Sequence, residues 1–371
     1  MPKDNYTICT RCVMDNSDKS INFNENGVCN YCREFEQKKS LYVLSEAESN
    51  RRLQRLVSNI KVASKGSEYD SVIGLSGGVD SSYVAYLAYK LGLKPLAIHF
   101  DNGWDSEVAV ANIKKIVDKC GFDLETYVID WPEFRDLQRS FIKASVVDIE
   151  MLTDQAICAA MFHFAKKYKI RYILSGSNYA TEHGMPQVWT WHKLDVGNIK
   201  DIHRRFGELK LRTFPFMGFF EFALRRRIGR RIEYIELLDN VNYKKNEAID
   251  ILKHEFDWKY YGGKHYESVF TKFYQGYILP HKFGIDKRRA HWSSLVRNQE
   301  ITREDALKEL VKPFYEVSEL KVDREYVLKK LGFSDQEFDL IMKAPEVGHQ
   351  AYYSSWWIFE FFSKVYKDFR K

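Results

Sequence analysis

A short apolar run, Asp70-Ser-Val-Ile-Gly-Leu75, leads straight into Ser76-Gly77-Gly78-Val79-Asp80-Ser81-Ser82, and a helical pattern with Val84, Leu87, Ala88 and Leu91 on one face follows at once. Few sequences can satisfy that order. Two adjacent glycines remove the Cβ atoms that would keep a backbone from turning tightly or approaching a ligand closely. The first amides of the new helix converge on one point, and the helix dipole favours an anion there. Ser76, Ser81 and Ser82 add hydroxyl donors, so strand, loop and helix together form a cradle for pyrophosphate. A glycine-rich turn that merely starts a helix is the bland alternative, and the apolar strand before it argues against that.

No lysine follows the glycines, so the loop is not the GxxxxGK[ST] phosphate loop and gives no reason to expect γ-phosphoryl transfer. SGGxDS after a strand resembles the PP-loop of the N-type ATP pyrophosphatases, which cleave ATP between its α and β phosphates. Two later strand ends fit that resemblance. Ala97-Ile-His-Phe-Asp-Asn-Gly-Trp104 ends a strand where the family contacts adenosine, making Phe100, Asp101 and Asn102 candidates. Tyr172-Ile-Leu-Ser-Gly176-Ser-Asn178 is similar to the family's second nucleotide-contacting strand end, adding Gly176 and Asn178. Open parallel sheets bind ligands at this edge. Asp80 is a candidate Mg²⁺ ligand, since magnesium favours one or two carboxylates plus phosphate oxygens; Glu182 is a weaker one.

The surrounding pattern is that of an α/β protein. Strands are expected at Ser71–Leu75, Pro95–Phe100, Glu125–Ile129, Tyr172–Ser175 and Ile232–Leu237, with helices over Ser81–Leu91, Ser106–Cys120 and Asp154–Tyr168. Each spacing admits the crossover that parallel strands need. A polar helix is expected over 45–62. Beyond Lys244 strand signals fade, and helices are expected near Lys245–Phe256, Tyr266–Tyr277, Arg303–Val311, Arg324–Leu331, Asp335–Lys343 and Tyr352–Tyr366. The expected organisation is a zinc ribbon over 1–40, a parallel-sheet PP-loop domain over 41–240 and a mainly helical substrate or partner region over 241–371.

Cys9-Thr-Arg-Cys12 and Cys29-Asn-Tyr-Cys32 form two CxxC pairs separated by sixteen residues. Each pair suits a tight knuckle, and two knuckles supply a tetrahedral thiolate set for zinc, with no position left for water. An iron–sulfur cluster is the alternative occupant. Cys120 and Cys158 stand apart on expected helices and read as small buried apolar residues.

Three stretches narrow the family: Tyr261-Gly-Gly-Lys-His-Tyr-Glu-Ser-Val-Phe-Thr-Lys-Phe-Tyr-Gln275, Lys282-Phe-Gly-Ile-Asp-Lys-Arg-Arg-Ala-His-Trp-Ser-Ser294 and Ile301-Thr-Arg-Glu-Asp-Ala306. They are similar to the N-acetyl sugar amidotransferases of bacterial surface-polysaccharide synthesis, which also begin with paired CxxC motifs. That resemblance implies adenylylation of an N-acetyl carbonyl oxygen by ATP, followed by displacement of AMP by ammonia to leave an acetamidino group. Lys264, Arg288 and Arg289 are candidate catalytic anion contacts, and His265 and His291 candidate substrate-orienting or proton-carrying groups; a solvated charge or a satisfied histidine is the alternative for each. The nucleophile of a class II glutaminase is an N-terminal cysteine, but residue 2 is Pro. A separate glutaminase subunit is therefore expected to deliver ammonia, as the resemblance also implies.

A tRNA-thiolating PP-loop enzyme with an N-terminal zinc ribbon is the rival enzyme reading. Sulfur transfer needs a cysteine pair or cluster near the loop, and Cys120 and Cys158 are not spaced as one. A net charge of +6 over 371 residues is mild for a nucleic-acid binder, so none is expected as a partner. A degenerate, non-enzymatic scaffold is argued against by the intact SGGVDSS. No apolar run is long enough to span a bilayer and no signal-peptide core opens the chain, so a cytoplasmic location is expected. Phe214-Pro-Phe-Met-Gly-Phe-Phe-Glu-Phe-Ala-Leu224, running into arginines at 225, 226, 227, 230 and 231, reads as a buried aromatic helix with a solvated basic end. An interfacial membrane contact or a docking face is the alternative.

Overall fold

The computed structural model describes residues 6–226, 231–263 and 266–358. Helix α1 (Asn30–Tyr42) grows out of the second CxxC pair, and α2 (Glu46–Ala63) follows, capped by the Ser45 side chain. The chain then alternates β1 (Ser71–Gly74), α3 (Val79–Lys90), β2 (Pro95–Asp101), α4 (Glu107–Cys120), β3 (Leu124–Val128), α5 (Trp131–Lys143), α6 (Met151–Lys167) and β4 (Tyr172–Ser175). After α7 (Tyr179–Glu182), α8 (Val196–Phe206) and α9 (Phe219–Arg225) comes β5 (Glu233–Glu236). The remainder is helical: α10 (Lys245–Phe256), α11 (Val269–Phe273) continuing into a π-helix over Tyr274–Phe283, α12 (Lys287–Arg297), α13 (Arg303–Val311), α14 (Val317–Leu331) and α15 (Asp335–Lys343).

The five strands form one parallel sheet in the order β3-β2-β1-β4-β5, with Ser71 opposite both Pro95 and Tyr172. Side-chain alternation divides the core. Ile73 joins the cluster holding Ile60, Val84, Ile113 and Leu252 on one face, and Val72 joins Phe162, Ala165 and Ile173 on the other. The chain leaves β1 towards β2 and β3, then returns to β4 and β5 on the opposite side. That reversal opens a crevice at the carboxyl ends of β1 and β4.

A third cluster joins Cys9, Cys12, Cys29 and Cys32 with Phe141 of α5, Ile199 of α8, Phe273 and Leu328, so the cysteine segment packs into the same core as the C-terminal helices. The expected strands all form. Helix α5 was not anticipated, although Asp130 caps it and Pro132 sits in its first turn. The aromatic segment meets expectation only in its first part: Phe214 and Met217 are buried in the core, but α9 buries none of its residues, and Phe220 and Leu224 are each 55% exposed. Part of its basic end, Arg227 to Arg230, and residues 359–366 of the last expected helix lie outside the described residues.

Candidate active site and cysteine centre

The loop after β1 is shaped by contacts on every side. Gly77 has φ +77, and a Cβ there would sit 2.4 Å from the Ala109 carbonyl oxygen of α4, so a side chain is excluded by both conformation and space. Its own carbonyl accepts from the Trp258 indole at 3.1 Å. The Ser76 hydroxyl lies 3.0 Å from that of Ser81 and accepts the Gly78 amide at 3.2 Å, while the Ser76 amide donates to Ser81 Oγ at 3.2 Å. Ser82 is fully buried.

The second strand end comes equally close. A Cβ on Gly176 would stand 3.0 Å from the Asp80 carbonyl carbon and 3.1 Å from the Ser81 amide nitrogen, which places the end of β4 against the first turn of α3. Asn178 caps α7 through its Oδ1, which accepts from Thr181 N at 2.8 Å, and its Nδ2 donates to the Gly176 carbonyl at 3.1 Å. Glu182 accepts the Asn178 amide at 3.4 Å. At the end of β2, Asp101 Oδ1 accepts from Gly103 N at 2.8 Å, Asn102 Oδ1 from Trp104 N at 3.1 Å, and Phe100 stacks on Tyr127. Ser76, Gly77, Gly78, Asp80 and Ser81 are thus brought against Gly176 and its partner Asn178, with Phe100, Asp101 and Asn102 on the neighbouring strand, whereas Ser82 is fully buried and its hydroxyl is not exposed at the loop as expected.

Residues distant in sequence complete the wall. The Tyr261 hydroxyl accepts from the Val79 amide at 3.1 Å, and a Cβ on Gly78 would lie 3.1 Å from both that hydroxyl and Glu267 Oε1. Tyr243 donates its hydroxyl to Asp80 Oδ1. Burial, and then the neighbouring carboxylates of Asp80 and Glu267, push the phenols of Tyr243 and Tyr261 well above their ordinary range, so both stay protonated. His99 Nδ1 is 3.1 Å from the Leu75 carbonyl and Nε2 is 3.3 Å from Asp105 Oδ2. Burial works against its charged form, yet the Asp105 carboxylate outweighs this and raises its pKa. At the end of β5, burial raises the pKa of Glu236 and of Asp239 just after it; the Asp239 carboxylate adds to the rise at Glu236, and that of Glu182 to the rise at Asp239. Tyr261 and Glu267 belong to one stretch singled out in the sequence and His99 to another, although His99 was not itself a candidate; nothing local marks Tyr243 or Trp258.

The arginines are engaged elsewhere. Arg288 pairs with Asp286 at 3.0 Å, donates to the Lys312 carbonyl at 2.7 Å and stacks on Phe314 at 3.6 Å. Arg289 pairs with Asp15 at 2.9 Å and donates to the Val13 carbonyl at 3.0 Å, tying the cysteine segment to α12. Neither side chain contacts residues 75–82 in these interactions, and their expected anion contact finds no support in them. His291 is half-buried on α12. Lys264 and His265 lie outside the described residues.

The four Sγ atoms of Cys9, Cys12, Cys29 and Cys32 lie within 4.8 Å of one another, all buried, with Cys9–Cys32 at 3.9 Å and Cys12–Cys29 at 3.7 Å. Zinc–sulfur bonds of about 2.3 Å make a tetrahedron with edges of ~3.8 Å, so the set fits zinc. The amides of Arg11 and Cys29 donate to Cys9 Sγ at 3.4 and 3.3 Å, and Arg297 donates to Cys12 Sγ at 3.8 Å, which spreads the thiolate charge. The centre reaches the crevice through α1, because Tyr42 stacks on Tyr179 of α7 with ring centroids 3.8 Å apart.

Two family models match the chain: NAD synthase over residues 51–201, and LPS biosynthesis protein WbpG-like, C-terminal domain, over residues 267–366. No match was found among curated proteins. Solved structures with similarity include the NH3-dependent NAD synthetase from Campylobacter jejuni subsp. jejuni NCTC 11168 in complex with the nitrate ion, at 18% identity and a TM-score of 0.28. That match covers 36% of this chain and 58% of that one. NMN synthetase from Francisella tularensis is 15% identical over 56% of this chain and 93% of that one, with a TM-score of 0.30. A predicted subunit of tRNA methyltransferase from Methanocaldococcus jannaschii DSM is 16% identical over 49% and 75%, with a TM-score of 0.29. The chain thus joins a PP-loop domain of the NAD synthase kind to a WbpG-like C-terminal domain, a pairing consistent with the PP-loop sugar amidotransferases.

Proposed function

We propose that the protein is an ATP-dependent amidotransferase of surface-polysaccharide synthesis that converts the N-acetyl group of a sugar to an acetamidino group. The observation that carries this reading is where the two matched regions meet. The WbpG-like region starts at Glu267, whose carbonyl accepts from Ser106 N at 2.8 Å, and Val269 N donates to the Trp104 carbonyl at 2.9 Å. The start of the WbpG-like region is therefore joined to the chain that leaves the carboxyl end of β2, and Glu267 reaches the Ser76–Ser82 loop at Gly78, which supports a reading in which both regions serve one site.

In this reading the α3 amides and the Ser76 and Ser81 hydroxyls hold the pyrophosphate of ATP, and the ends of β2 and β4 hold the nucleoside. Asp80, oriented by the Tyr243 hydroxyl, would hold Mg²⁺, which supplies positive charge against the phosphates when bound. The acetamido oxygen attacks the α-phosphorus and pyrophosphate departs. Ammonia then adds to the activated carbon, AMP leaves with the oxygen, and a proton is lost to give the amidine. An amide oxygen leaves poorly by itself, and esterification to AMP removes that barrier. With Arg288 and Arg289 engaged in packing, Lys264, which falls between Tyr261 and Glu267 in sequence, is the remaining candidate for an anionic group of the sugar. Cys9, Cys12, Cys29 and Cys32 would hold a structural Zn²⁺.

Incubation with ATP, ammonium and a panel of nucleotide-linked N-acetyl sugars, followed by mass spectrometry, tests the assignment. Replacement of the amide oxygen by NH in one sugar supports it. AMP formation that depends on tRNA and not on any sugar sinks it.

A further inference from the structure

We propose that the face formed by α9 and the chain around Trp357 is a peripheral contact for an anionic membrane surface. Although α9 reads Phe-Phe-Glu-Phe-Ala-Leu-Arg, none of its residues is buried. Phe220 and Leu224 are each 55% exposed, and Trp357, distant in sequence, is 59% exposed. The two segments meet where Phe219 packs edge-on against Trp356 with centroids 6.4 Å apart. A groove of about 300 Å³ lies between them, lined by Leu194, Gly218, Phe219, Phe220, Ser355 and Ile358 together with Glu221. Scattered apolar exposure is ordinary, but a contiguous aromatic and aliphatic patch marks an interaction surface.

The charge beside it selects the partner. Arg226 follows α9 directly, Ile232 N donates to the Arg225 carbonyl and so brings Arg231 back beside it, and Arg226 and Arg231 are both exposed. Arg225 turns back onto Glu221 and neutralises the one acidic side chain that lines the groove. An anionic bilayer offers hydrocarbon for the rings and headgroups for the guanidinium groups within one side chain's reach, and tryptophan favours that boundary. The contact is superficial, for among the described residues no helix is long and apolar enough to cross a membrane.

The test is co-sedimentation of the full-length protein with vesicles of phosphatidylcholine, alone or mixed with phosphatidylglycerol, at low and high salt. The protein should pellet with the anionic vesicles, and less so as salt rises. Phe220→Ser with Leu224→Ser and Trp357→Ser should abolish pelleting, as should Arg226→Glu with Arg231→Glu, and neither set touches the crevice. Should a variant misfold, quenching of wild-type tryptophan fluorescence by brominated phosphatidylglycerol gives an independent readout. No pelleting, equal pelleting with neutral vesicles or full binding by folded variants would overturn the proposal. So would binding only after removal of residues 359–371, which makes the chain's own C-terminus the occupant. A dimer lost in these variants, without vesicle binding, would do the same and make the occupant a second copy.

Discussion

The Tyr261 hydroxyl oxygen lies 3.1 Å from the amide nitrogen of Val79, the first residue of α3. That amide is among the donors an anionic oxygen would use at a helix N-terminus. Tyr261 therefore competes with a phosphate for a donor, while its ring closes the crevice. Tyr261→Phe keeps the ring and frees the amide. A hydrogen bond of this kind contributes about 1 kcal/mol net, so the variant should lower the KM for ATP about fivefold with little change in kcat. Steady-state kinetics check this, and a raised KM would mean that the hydroxyl helps to hold the nucleotide.

Asp80 is held by Tyr243 beside the loop, and the loop lacks a lysine suited to γ-phosphoryl transfer. Turnover should release AMP and pyrophosphate in equal amounts. Asp80→Ala should cut the rate by about 100-fold or more, as expected when a preorganised charge contact is removed, while leaving circular dichroism unchanged. Stoichiometric ADP from the wild type would show that the loop works differently.

How much of this was legible depends on the range of the physics. Strand Val72–Ile73, the loop and α3 are consecutive, so hydrophobic runs and glycine placement reveal them directly. The crevice wall is another matter. Tyr261, Tyr243 and Trp258 reach the loop across long sequence separations, and a tyrosine that will meet a helix amide carries no local signature. Arg288 and Arg289 make the same point from the other side. A guanidinium serves a phosphate, the Asp15 carboxylate or the Phe314 ring equally well, and only the fold decides which one it meets. Asp130 and Pro132 did announce α5 through capping and N-terminal proline chemistry, signals that a search for apolar periodicity passes over.

The cysteine centre and the crevice should not behave independently. Tyr42, on the helix that begins at the second cysteine pair, stacks on Tyr179, and His183 Nε2 lies 3.2 Å from the Tyr31 carbonyl. One zinc per chain is expected by metal analysis. Cys12→Ser should release it and lower the melting temperature, because such sites supply folding free energy. Hydrogen exchange should also quicken over residues 179–183. Unchanged protection there, with the metal gone, would show that the two sites are uncoupled.

His349 predicts an acid limb of stability. Its Nε2 accepts the Asp148 amide at 3.2 Å and its Nδ1 lies 2.8 Å from Asn198 Oδ1, a neutral ring used at both nitrogens. Burial is the main reason its pKa falls to about 4. A depressed folded-state value means that stability is fully present above the unfolded value of about 6.5 and is lost as pH falls through about 4. Melting temperatures should therefore decline across that window. His349→Gln should start less stable and decline more shallowly; an identical slope would rule His349 out as the cause.

The source of ammonia gives the last prediction. Outside the buried quartet, Cys120 and Cys158 have thiols that burial pushes up to about 12, the opposite of an activated nucleophile. Free ammonia is scarce near neutral pH because ammonium dominates, and a released molecule diffuses away. A separate glutamine-hydrolysing protein is therefore expected to dock on this one and feed ammonia to the crevice between Ser76–Ser82 and Gly176. The isolated chain should amidinate its sugar with high ammonium and not with glutamine, and the partner should restore glutamine use. Raising the pH should help the ammonium-fed reaction by supplying more of the unprotonated amine, and should matter less when the partner delivers it directly. Glutamine-dependent turnover by the chain alone, at high purity, would remove the need for any partner.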